Sequence, residues 1–257
     1  MSLDALDARF PNQRAIITGG ASGLGLATAQ LLATRGWSLG LLDRDAERLT
    51  EAVQQLRAKG SPLCEAHIVD TTDERAVKAA IDGFAATCGG LDFAMNSAGV
   101  AVAGDLLETS TADWRWILDI NVMGIVYSCR AELPHMIESG GGLVINVASA
   151  ASFACSSRMS AYNASKAAVV ALSETLFQEM AEHEVHVAAA MPGCFRTRLM
   201  EHARAPADAR GFAEKMMRRS NLEADEVALE IVTRAAAGAT HIVLPGGYRW
   251  LWRYKRL

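Results

Sequence analysis

At 257 residues and 27.5 kDa, with 51% hydrophobic residues, the chain is long enough for one large α/β domain with a sizeable core. A net charge of −4 excludes a general attraction to nucleic acid or anionic membrane, since basic residues cluster only around Arg196 to Arg219 and at the C-terminus. Five cysteines (Cys64, Cys88, Cys129, Cys155, Cys194), odd in number and lacking a C-x-x-C pair, argue against a disulfide framework or a zinc knuckle, and no metal is expected.

Residues 1–7 carry acids where a signal peptide needs a basic region before an apolar run, and no stretch approaches the ~18 apolar residues of a membrane span. The expectation is a cytoplasmic protein. Short apolar runs at 14–18, 38–42, 64–69, 91–95, 142–147, 185–190 and 241–244 read as strands. Between them, helical periodicity marks segments near 23–35, 45–59, 73–88, 111–138, 161–183 and 224–237. Continuous apolar strands alternating with helices predict a parallel sheet covered on both faces, the doubly wound class, with no linker or repeat to divide residues 1–257. The alternation fails only after Pro192, and residues 196–220 are expected to overhang the carboxyl ends of the strands, where open α/β sheets bind ligands. Within that stretch, Met216 and Met217 beside Arg218 and Arg219 read as an amphipathic helix or part of a lid.

The first strand runs into Thr18-Gly19-Gly20-Ala21-Ser22-Gly23-Leu24-Gly25 and then a helix. Glycines at Gly19, Gly23 and Gly25 permit a tight turn, close approach of a pyrophosphate to backbone N–H groups, and close packing of helix on strand. The strand–turn–helix context makes this a dinucleotide-binding reading. The second strand ends at Asp43, 24 residues after Gly19, where a carboxylate accepts hydrogen bonds from the adenosine ribose and repels a 2′-phosphate. NAD is therefore expected over NADP. Arg44 pulls the other way, but Ser22 stands where a second basic residue would help a phosphate most. The alternative for Asp43 is a cap of the next helix.

Tyr162-Asn163-Ala164-Ser165-Lys166 places a phenol and an ammonium at i,i+4 on one helix face, with Ser149 thirteen positions upstream at the end of the fifth strand. Taken together, the glycine turn, Asp70 after the third strand, Asn96-Ser97-Ala98-Gly99 after the fourth, Asn121, Ser149, Tyr162-x-x-x-Lys166 and Pro192-Gly193 resemble the short-chain dehydrogenase/reductase family in its compact, single-domain branch. The resemblance covers residues 14–245 with every motif in order and implies a Rossmann-like sheet of about seven strands, binding cofactor and substrate in one domain. It implies that Asp70 meets the adenine, that Asn96, Ala98 and Gly99 border the adenine ribose, and that Pro192, Gly193 and Thr197 contact the nicotinamide. Ser22 and Leu24 belong to the phosphate turn. Ser97 stands where the family commonly has a second asparagine.

Oxidising an alcohol removes a proton from oxygen and a hydride from carbon, and a nicotinamide takes only the hydride. With a free-phenol pKa of about 10, Tyr162 needs a cation to act as a base near neutrality, and Lys166 is expected to supply it. Ser149 can donate a hydrogen bond to the reacting oxygen. The resemblance adds two roles: Lys166 reaches the nicotinamide ribose, and Asn121 holds a water linking Lys166 to solvent. An asparagine in an apolar helix is otherwise a satisfied structural residue.

The resulting expectation is an NAD(H)-dependent dehydrogenase or reductase of a secondary alcohol or ketone, in a homodimer or homotetramer; the alternative is a catalytically silent nucleotide-binding scaffold on the same fold. The pocket is expected between residues 150–161, 100–107 and the segment after Phe195, where Phe153, Met159, Phe195, Leu199 and Met200 favour a mostly apolar substrate. His183 and His186 lack a third ligand and read as a surface helix end. Residues 246–257 combine Arg249, Arg253 and Arg256 with Trp250, Leu251, Trp252 and Tyr254. This tail can dock on a second subunit, close over the pocket or lie in a membrane interface; subunit or pocket docking ranks first, because so short a helix is a weak membrane binder in isolation.

Overall fold

The computed structural model describes residues 3–257 and, within that span, every side chain except those of residues 212–214 and 216–218. The apolar runs form seven parallel strands: β1 (Arg14–Thr18), β2 (Ser38–Asp43), β3 (Cys64–Ile68), β4 (Phe93–Asn96), β5 (Gly142–Val147), β6 (Val185–Pro192) and β7 (His241–Leu244). Their order in one sheet is β3-β2-β1-β4-β5-β6-β7. The chain winds outward from β1 in one direction and, after β3, crosses back to β4 on its other side. That reversal leaves a crevice beyond the carboxyl ends of β1 and β4, where a ligand can enter between loops that diverge.

In chain order the helices are α1 (Asp4–Arg9), α2 (Gly23–Ala33), α3 (Ala46–Ala58), α4 (Glu74–Cys88), α5 (Thr111–Leu118), α6 (Gly124–Glu138), α7 (Ala151–Ala154), α8 (Ser160–Glu179), α9 (Ala207–Arg219), α10 (Ala224–Ala236) and α11 (Arg249–Tyr254). Because successive strand residues face opposite sides, Ile17 lies in one core with Leu32 of α2, Leu49 of α3 and Ile231 of α10, while Ile16 lies in the other with Phe84 of α4, Ile125 of α6 and Val169 of α8. Both faces are dry at β1, β4 and β5, which is why these strands read as unbroken apolar runs, whereas the edge strand β3 (Cys-Glu-Ala-His-Ile) leaves alternate residues exposed.

Some elements depart from the predicted segments. The first, α1, is too short for a pattern and is held by tertiary contacts: Arg35 pairs with Asp4 and Asp7, and the Trp37 indole donates to Asp7 at 2.9 Å. The predicted 111–138 helix is one path with a π turn at Asp119–Met123 between α5 and α6, centred on Asn121. A π turn adds a residue to the helical ladder and redirects the side chains around it. Finally, the stretch read as irregular after Pro192 contains α9; the expectations for Met216, Met217 and Arg218 concern side chains outside the described residues.

Candidate active site

A cleft of about 700 Å³ opens over the carboxyl ends of the strands, from Asp43 and Asp70 at one extreme to Met159 and Met200 at the other. At the first end, the turn after β1 is shaped by its glycines. Gly19 has φ +67°, and a Cβ there would lie 2.8 Å from the Ala98 amide nitrogen, so the β1 and β4 loops meet only because the side chain is missing. A Cβ on Gly25 would lie 2.3 Å from the Gly19 carbonyl oxygen. Gly25 accordingly does not line the cleft but packs α2 onto the turn, the third of the roles its spacing allowed. Gly23, at φ +54°, faces open space, and Ser22 and Leu24 border the cleft beside it. Ser22 precedes α2 without a side-chain cap, whereas Asp45 and Asp73 cap α3 and α4, so the first N–H groups of α2 are left toward the cleft.

Asp43 accepts hydrogen bonds from the amides of Ala21 and Asp45, both at 3.1 Å, and borders the cleft with Arg44. The cap of α3 is Asp45, which accepts from the Arg48 amide, so the capping alternative for Asp43 is set aside. Arg48 also lines this end, paired with Asp45 at 3.3 Å and Glu201 at 3.5 Å. Asp70 is exposed on the wall and fixed by the amide and hydroxyl of Thr72 at 2.9 and 2.8 Å.

Asn96 departs from its expected place. It is fully buried beneath the cleft, its amide donating to Glu132 and Asn146, both at 3.0 Å. As the last residue of β4, it faces the core by strand alternation, while Ser97, Ala98 and Gly99 form the wall. Glu132 is itself fully buried, and burial pushes its carboxyl from 4.5 up to about 8.

Midway along the cleft, Ser149, Tyr162 and Lys166 converge. Ser149 follows β5; its hydroxyl accepts from the Ala151 amide at 3.2 Å and reaches the Pro192 carbonyl at 3.4 Å. Tyr162 and Lys166 lie on one face of α8, the ammonium 5.9 Å from the phenol ring centre, and are only 7% and 4% exposed. Lys166 donates to the Val147 carbonyl at 2.8 Å, and burial lowers its pKa to about 8. The expected depression of Tyr162 is not present: burial pushes the phenol above its ordinary value, with the Ser149 hydrogen bond opposing. Desolvation outweighs the neighbouring lysine because that lysine is itself desolvated and held against a carbonyl.

Asn121 is fully buried, its oxygen accepting from the Val100 amide at 2.8 Å and its nitrogen donating to the Val100 carbonyl and the Ser165 hydroxyl at 3.0 and 3.1 Å. Its side chain ties the β4 loop to α8. A Cβ on Gly99 would lie 3.2 Å from the Asn121 oxygen and 3.4 Å from the Lys166 nitrogen, so Gly99 allows the three to close together.

At the far end, Met159, Phe195, Leu199 and Met200 line the cleft as expected, as do Pro192, Gly193 and Thr197. Phe153 does not: it lies behind the wall, edge-to-face with Trp252 at 5.3 Å. The mouth is also more charged than expected. Arg158, with φ +59°, pairs with Asp208 at 2.8 Å and approaches Asp105 and Glu108 at 3.7 and 3.9 Å. Outside the lining itself, Arg204 pairs with Asp113 at 2.9 Å and lies 3.9 Å from the centre of the Trp116 ring. Cys194 and Tyr248 also line the cleft, the latter from the tail for which closing over the pocket was one expectation. Gly193 was an available signal for Tyr248, since a Cβ there would sit 2.6 Å from that ring, but only the fold brings them together.

The sheet order, the glycine turn at the switch point and the Ser149–Tyr162–Lys166 convergence define a dinucleotide-dependent oxidoreductase. The short chain dehydrogenase family model matches residues 13–208, and the chain belongs to that family. It is 35% identical to D-threitol dehydrogenase of Mycolicibacterium smegmatis over 96% of each chain. Cyclohexanol dehydrogenase of an Acinetobacter species is 32% identical over 75% of this chain and 76% of its own. A short-chain dehydrogenase/reductase from Burkholderia phymatum, solved in complex with NAD, superposes with a TM-score of 0.87 at 29% identity, covering 95% of this chain and 92% of that one.

Proposed function

We propose that the chain interconverts a secondary alcohol and its ketone with NAD(H), Tyr162 serving as general base in oxidation and general acid in reduction. The observation that carries this reading is the convergence of Ser149, Tyr162 and Lys166 in the middle of the cleft, beyond a glycine turn built for a pyrophosphate. The residues fit the cofactor: the uncapped N-terminus of α2 and Gly23 suit the pyrophosphate, and Asp43 suits an unphosphorylated adenosine ribose. Asp70, Ala98, Pro192, Gly193 and Thr197, which line the same cleft, would border the rest of it. When bound, nicotinamide supplies the hydride acceptor or donor.

The remaining chemistry falls to this chain. Tyr162 Oη exchanges a proton with the substrate oxygen while Ser149 donates to that same oxygen, holding it against the charge it develops. Lys166, anchored by Val147, presents a positive charge on the same helix face, which favours the phenolate and opposes the burial that disfavours it. Met159, Leu199 and Met200 favour a mostly apolar alcohol, and the curated relatives named for cyclohexanol and D-threitol are consistent with secondary hydroxyl groups. A homodimer or homotetramer remains our reading for its assembly.

The test is turnover of a panel of secondary alcohols and ketones with NAD and with NADP, on the wild type and Tyr162→Phe. Turnover that depends on Tyr162 and favours NAD is expected. NADH binding without Tyr162-dependent turnover would instead identify the silent scaffold.

A further inference from the structure

The C-terminal segment divides into an inner and an outer face. On the inner face, Leu251 and Trp252 pack on the core, with Trp252 5.3 Å from the ring centres of both Phe153 and His241. Arg256 stacks on Trp252 at 4.4 Å and pairs at 2.6 Å with Glu174, which also holds His241 at 2.5 Å. Arg249 reaches Glu230 at 3.4 Å. These contacts fix α11 against β7 and α7, so its short length is no longer an obstacle: the helix is already formed before anything binds its outer face.

The outer face is another matter. Trp250 and Tyr254, at i,i+4, are 68% and 70% exposed, and Leu257 just beyond the helix is fully exposed. Between and beside them, Arg253 and Lys255 have no acidic partner among the described residues. From Gly246 to Leu257 there are four basic side chains and no acidic one, in a chain whose net charge is −4. Amphipathic aromatic rings flanked by unpaired cations match the depth profile of an anionic bilayer, with rings at the headgroup level and cations at the lipid phosphates. Taken alone, this face, ~10 Å long, is smaller than the patch of about 800 Å² per partner that a stable protein interface buries.

We propose that the outer face of residues 250–257 is a peripheral docking site for anionic phospholipid, with Trp250 and Tyr254 as interfacial anchors and Arg253 and Lys255 as headgroup contacts. None of these four residues lines the cleft, so lipid binding is separable from the redox chemistry. The full chain should float with vesicles of mixed phosphatidylglycerol and phosphatidylcholine at low salt, be released at high salt, and ignore pure phosphatidylcholine. Arg253→Glu with Lys255→Glu should lower the vesicle-bound fraction about tenfold or more. Trp250→Ala with Tyr254→Ala should lower it as well, while sedimentation velocity and thermal unfolding stay unchanged for both double variants. Failure to float with anionic vesicles, or flotation insensitive to salt and to both double variants, would overturn the proposal. So would variants that split a larger assembly into protomers while leaving flotation intact, since the face would then belong to a second copy.

Discussion

The two ends of the cleft are held by different kinds of interaction. The nucleotide end is set by backbone: Gly19 lets the β1 and β4 loops touch, Gly25 seats α2, and the Asp43 carboxylate is pinned by two amides. The substrate end is set by side chains reaching between separate segments. Arg158 joins 105–108 to α9, Arg204 joins its own loop to α5 through Asp113, and short backbone bridges link Val102 to Arg204 and Gly104 to Met159. Backbone-defined geometry tolerates little change, because adding a single methyl group collides with main-chain atoms that cannot move away. Exposed ion pairs, by contrast, contribute little stability and can be exchanged. One family can therefore keep its cofactor end while varying the end that selects a substrate.

The sharpest way to test that contrast is to remove the proton carrier that lies between the ends. Tyr162→Phe should lower kcat by about 10³-fold, within the range typical of general acid–base groups, while NADH affinity measured by fluorescence titration is unchanged. A proportional loss of cofactor affinity would show that the phenol belongs to the nucleotide end after all. Next in size, Asp43→Ser should raise the NADP-to-NAD ratio of kcat/KM by about tenfold to a hundredfold, by removing a carboxylate that would confront a 2′-phosphate.

A smaller effect is expected beneath the cleft, where Glu132 braces Asn96. Folding raises its pKa from 4.5 to about 8, so the native state binds its proton more tightly than the unfolded chain does. Its contribution is fully present below pH 4.5 and is lost as pH rises toward about 8. Lys166 works in the opposite sense and in a higher window: its pKa falls from 10.5 to about 8, so stability recovers as pH rises between those values. Glu132→Gln should flatten the decline on the acid side while leaving the alkaline recovery, as read from urea midpoints across pH. The smallest change is expected at the mouth. Arg158→Ala should raise KM about two- to fivefold for a bulky alcohol and leave the NAD affinity and the urea midpoint almost unchanged, as expected for exposed pairs.

How far each region could be read in advance follows the same division. Period and glycine spacing are local properties of the chain, so the strands, the glycine turn, Asp43 and the Tyr162–Lys166 face were all legible. Asn96 was misplaced because a one-residue step along a strand reverses the direction of a side chain, and strand ends are the least distinct part of any apolar run. Phe153 was misassigned because its alternative partner, Trp252, lies about a hundred residues away in sequence and no periodicity links them. Arg158 escaped notice for a similar reason: its three acidic neighbours come from two separate segments.

The sequence by itself determined the parallel sheet, the order of the motifs and the proton-transfer pair, because each depends on residue types at short and fixed spacings. The tertiary structure decided which groups were desolvated. It left Tyr162 above its ordinary pKa, brought Lys166 and Glu132 each to about 8, tied Asn121 to Val100 and Ser165, and turned one tryptophan of the tail inward and the other outward. Burial depends on what distant segments cover, and that is set only when the whole chain has packed.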